Sequence, residues 1–66
     1  MYKSIEEKIM VIKEYIEVLE LYIDECEEFN KKYNTNSLEA NIKKSKERIK
    51  YYNKVLADLE LEPELN

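Results

Sequence analysis

Few side chains in this sequence carry reactive chemistry, and the first is a lone thiol. Cys26 is the single cysteine, and histidine is absent. A cysteine becomes a nucleophile through an activating neighbour, and no imidazole exists to serve as one. One thiol without histidine also falls short of an ordinary zinc site, and a disulfide within the chain is impossible. Carboxylates are plentiful but poorly arranged for a metal. Glu17 with Glu20, and Asp24 with Glu28, lie one turn apart, yet carboxylate-bridged iron bundles pair such residues with inward histidines. A phosphate-cradling loop needs glycine, and the sequence has none. Cys26 therefore reads as a small core hydrophobe and the acids as solvated helix faces. The expectation is a protein that is not an enzyme and holds no cofactor or metal.

Two kinds of non-covalent chemistry remain. Lys43, Lys44, Lys50 and Lys54, with Tyr51 among them, share one broad side of the second half of the chain. Cations of that kind neutralise phosphates while a tyrosine stacks on a base, which makes them a candidate nucleic-acid face. The formal charge of −4 and isoelectric point near 4.9 disfavour it. The opposite reading takes the rows Glu6, Glu7, Glu14, Glu17, Glu20, Asp24, Glu25, Glu27 and Glu28. On a rigid helix they imitate a nucleic-acid backbone and suit the basic groove of a nucleic-acid-handling protein, as small phage or mobile-element inhibitors do.

Either surface needs long helices beneath it, and the punctuation supplies them. Between Ser4 and Lys32 there is neither glycine nor proline. Ser4 followed by Glu7 forms a capping box, so helix 1 is expected over about 4–32, some 42 Å long. The break comes at Tyr33-Asn34-Thr35-Asn36, the expected turn over 33–36. Asn34 can take the left-handed backbone that ends a helix, and Asn36 with Glu39 offers a second capping box, Thr35 and Ser37 being alternatives. Helix 2 then runs over about 37–61, because Pro63 forbids continuation. Residues 62–66 form a loose acidic tail, and Tyr2 and Lys3 a frayed start. The fold class is all-α: a single domain over 1–66 in the form of an antiparallel helical hairpin.

Apolar spacing sets how the hairpin closes. In heptad letters Ile9, Ile16 and Ile23 of helix 1 take a, while Ile5, Ile12, Leu19 and Cys26 take d. Helix 2 answers with Leu38, Ile42, Ser45, Ile49, Tyr52, Leu56 and Leu59, a weaker seam because Ser45 and Tyr52 interrupt it. Charge agrees with the antiparallel sense. Residues 1–30 carry three lysines against nine acids, net −6, and residues 37–57 carry six cations against two acids, net +4.

A second apolar row, Val11, Tyr15, Val18, Tyr22 and Phe29, occupies c and g of helix 1 beside the seam. Row and seam together span about 160° of arc at 100° per residue, more than one neighbouring helix covers. With 66 residues, no disulfide and no metal, a lone hairpin is short of core. The row is thus the expected interface, with a second copy completing a homodimeric four-helix bundle or a heterologous protein covering it. The function expected is that of a small adaptor or inhibitor working through protein–protein contacts, with nucleic-acid binding or a purely structural assembly role as alternatives. No apolar run reaches the roughly 20 residues that span a bilayer, and Met1–Glu7 lacks the apolar core of a secretion signal, so no membrane partner and a cytoplasmic location are expected.

Overall fold

The computed structural model describes residues 4–61, and within them the protein is two long helices in antiparallel contact. Helix α1 spans Ile5–Lys32 and helix α2 spans Glu39–Leu61. No strand occurs among the described residues. The tail at 62–66 and the start at Tyr2 and Lys3 lie outside them.

The start of α1 follows its local chemistry. Ser4 Oγ accepts from the Glu7 backbone N–H at 3.1 Å, and Glu7 Oε1 accepts from the Ser4 N–H at 3.2 Å. Two N–H groups that the helix leaves without partners are thereby satisfied. Lys31 and Lys32 sit in the last turn, where cations suit the exposed carbonyls.

The turn closes by a Schellman arrangement built on asparagine. Asn34 has φ of 52°, the left-handed value expected of a residue one past the helix cap. The Thr35 N–H donates to the Asn30 carbonyl at 2.9 Å, and the Asn34 N–H donates to the Lys31 carbonyl at 3.3 Å. Helix α2 then opens at Glu39, two residues after the start expected from the sequence. The reason is where the N–H groups of 37 and 38 go. Ser37 donates to Thr35 Oγ1 at 3.2 Å, and Leu38 donates to the side-chain oxygen of Asn30 at 3.3 Å. Asn30 Nδ2 in turn donates to Glu39 Oε2 at 3.5 Å. The expected Asn36–Glu39 box does not form; Asn36 contributes its backbone carbonyl to the Glu39 N–H instead. Thus α2 is capped partly by a residue of α1.

Between the helices lies the seam that the heptads specify. Ile16, Leu19, Ile23 and Cys26 of α1 are buried, as are Ile42, Ser45 and Leu56 of α2. Ile5, Ile9, Ile12, Leu38, Ile49, Tyr52 and Leu59 are half-buried, together with Val55. The tightest packing is near the turn, where Ile23, Cys26 and Ile42 cluster with Leu38 and Ile49. This core is thin: its most buried members, Cys26 and Ile42, still keep 4% of their surface. Ser45 shares it, and no buried side-chain nitrogen or oxygen among the described residues lacks a hydrogen-bond partner.

Because Asn30 ties the end of α1 to the start of α2, Asn30→Ala should cost about 1 kcal/mol, the usual worth of a cap. Urea titration followed by circular dichroism measures this loss. An unchanged midpoint would show that water replaces the amide without cost.

The candidate interaction face

The two edges of the seam differ in chemistry. At the e positions Lys13 Nζ pairs with Glu60 and Lys46 Nζ with Glu27, each at 4.0 Å. In both pairs (13 with 60, 27 with 46) the residue numbers add to 73. At the g positions tyrosine hydroxyls take over. Asn41 Nδ2 donates to Tyr22 Oη at 2.9 Å, and Arg48 Nη1 donates to Tyr15 Oη at 3.4 Å. Those numbers add to 63 in both (22 with 41, 15 with 48). A constant total on each edge is the mark of one antiparallel register held along the whole length. It also gives the hairpin an ionic edge and an aromatic edge.

The aromatic edge opens onto the expected row. Val11, Tyr15, Val18, Tyr22 and Phe29 keep 47, 36, 58, 40 and 43% of their surface in the hairpin. Helix α2 touches the row without covering it. The Tyr15 ring meets Tyr52 edge-on at 5.1 Å between centroids, and Tyr52 meets Tyr51 at 5.2 Å. The three rings therefore form a connected series running from α1 across to the outer side of α2. Phe29 rests on Tyr33 at 4.7 Å, with Lys32 Nζ 5.5 Å from the Tyr33 centroid. Shallow grooves run along this side. One is lined by Leu19, Tyr22, Asn41, Lys44, Ser45 and Arg48, and another by Lys8, Val11, Ile12, Val55 and Leu59.

Sequence periodicity leaves two more exposed apolar side chains unaccounted for: Met10 and Leu21, at b and f on the outer side of α1, positions that heptad logic assigns to water. Their signal is composition: both interrupt otherwise acidic rows. Tyr51, expected on the nucleic-acid face, also ends the tyrosine series and stays 61% exposed.

The basic set spreads around the exposed side of α2. Lys43 and Lys50 line an outer groove with Glu39, Ile42, Lys46 and Glu47, so two carboxylates lie among the amines. Lys44 belongs to the other side, in the groove with Tyr22 and Arg48. Lys54 is exposed on the stripe of Lys43 and Lys50. All five side chains, Lys43, Lys44, Lys50, Tyr51 and Lys54, are exposed and spread over about 120° of the circumference of α2 at 100° per residue. Among the described residues no three acidic or thiol side chains converge as a metal site would require, and no helix is long and apolar enough to cross a membrane.

No family model, curated protein or solved structure matches the chain.

Cys26 lies in the tightest layer of the seam, so its labelling reports seam opening. Ellman's reagent should modify it roughly a hundredfold more slowly in buffer than in denaturant, because reaction waits on an opening fluctuation. Equal rates would mean that the seam is not closed in solution.

Proposed function

We propose that this protein is a non-enzymatic interaction module whose aromatic face pairs with a second copy, giving a four-helix bundle. The acidic rows of helix 1 then act as an adaptor or inhibitor surface toward a basic protein groove, of the kind that handles nucleic acid. One observation carries the reading: a continuous apolar and aromatic row stays open along α1 while the opposite edge is closed by ion pairs.

Light scattering on a sizing column tests the pairing and should return about twice the chain mass of 8.0 kDa. Val18→Glu separates face from fold, since Val18 is 58% exposed and has little to lose in a lone hairpin. The charge should split the dimer to monomer and reduce helicity with it. Tyr22→Glu should do the same, while Tyr22→Phe, which keeps the ring and loses only the bond from Asn41, should stay dimeric. A wild-type monomer at tens of micromolar removes the bundle. Retention on immobilised RNA at low salt, lost steeply as salt rises, would assign the function to the lysines of α2 instead.

A further inference from the structure

We infer that the two copies pack with their turns at the same end, so that α1 of each lies against α2 of the other. This deepens the self-association proposed above and rests on it. Two hairpins joined through the same face by a two-fold axis have two choices. With the axis along the helices, α1 meets α2 of the second copy and the turns lie together. With the axis across them, α1 meets α1, α2 meets α2, and the turns lie at opposite ends.

Charge separates the two. Residues 1–30 carry net −6 and residues 37–57 net +4. Packing like on like sets the acidic helix against itself and the basic helix against itself, and it brings Arg48, at g on the face, against its own duplicate near the axis. Packing unlike helices opposes −6 to +4 twice over. Like-charge juxtaposition across an interface is penalised, so the second arrangement is selected.

Register supplies the individual partners. The totals of 73 and 63 on the two edges place each α1 residue level with the α2 residue that brings the total to about 68. A two-fold axis along the helices keeps these levels between copies. Glu25, at c, then stands opposite Lys44 of the second copy, also at c. Val18 stands opposite Tyr51 of the second copy, which explains why a 61% exposed tyrosine ends the ring series on that side. The cations on α2's share of the face, Lys44 and Arg48, meet tyrosine rings and a carboxylate rather than their own duplicates.

Two measurements decide it. A Ser37→Cys variant, labelled natively in the exposed turn while Cys26 stays buried, is mixed as donor and acceptor copies. With a dye pair whose transfer distance is well short of the helix length, turns at one end give efficient transfer; turns at opposite ends stand apart by most of the 52 Å length and give almost none. Glu25→Lys should weaken the dimer roughly tenfold at low salt, with Lys44→Glu on that background restoring it, as expected for two symmetric pairs reversed and then repaired. A dimer with little transfer, or one that Glu25→Lys tightens, overturns this arrangement and leaves the dimer standing. A monomer overturns the dimer itself, and the arrangement with it.

Discussion

Every feature of this hairpin answers to one limit: two helices have a single line of mutual contact, and everything off that line faces water. The seam holds Ile16, Leu19, Ile23, Cys26, Ile42 and Leu56, and even these retain some exposure. Burying a large aliphatic side chain contributes roughly 1.5–3 kcal/mol, whereas an exposed ion pair contributes about 0–1. The seam therefore dominates, and the ion pairs Lys13–Glu60 and Lys46–Glu27, long and more than half exposed, add little to it. Slipping one helix by a turn would bring Lys46 toward a different acid at little loss. It would also break the Tyr22–Asn41 bond and misplace Ile23 and Cys26 against Ile42.

The two edges then diverge in consequence. On the e edge charged tips stay hydrated and their stems shield the seam. On the g edge each tyrosine divides its side chain between two roles. The hydroxyls are held by Asn41 and Arg48, while the rings lean out beyond the seam. A tyrosine tethered this way loses less rotamer freedom when something covers it, so the face is partly organised before any partner arrives. The c positions beyond it, Val11 and Val18, have no such tether and no neighbouring element to hide them.

Much of this was legible because it is local or periodic. The Ser4–Glu7 box, the end of α1 at Asn34 and both heptad seams depend on spacings of three, four or seven residues, which a sequence displays directly. Exposure of the aromatic row followed from the same spacing. What escaped was non-local. Asn30 caps a helix that begins nine residues later, and its role depends on the turn first folding back. That Lys43 and Lys44 line different grooves required knowing how far around α2 the seam reaches, since the two are neighbours in sequence and diverge by about 100°. Whether Tyr15 and Tyr22 met water or helix α2 turned on register, which heptads alone leave free by whole turns.

The same limit bears on how two copies would associate in the proposed dimer. A hairpin whose turn lacks glycine and proline could in principle open into one long helix and exchange α2 with a neighbour. Exchange would forfeit the bonds that define the turn: Thr35 to Asn30, Asn34 to Lys31, Ser37 to Thr35, and Leu38 to the Asn30 side chain. It would regain some of them as helical bonds, so hydrogen bonding alone decides little. Burial decides more. In an exchanged dimer each α1 meets an α2 along the same seam, and Val11, Tyr15, Val18, Tyr22 and Phe29 are left as open as before. Of these two homodimers, only face-to-face packing of closed hairpins would remove that row from water, so in the proposed dimer the thinness of the core favours the closed form.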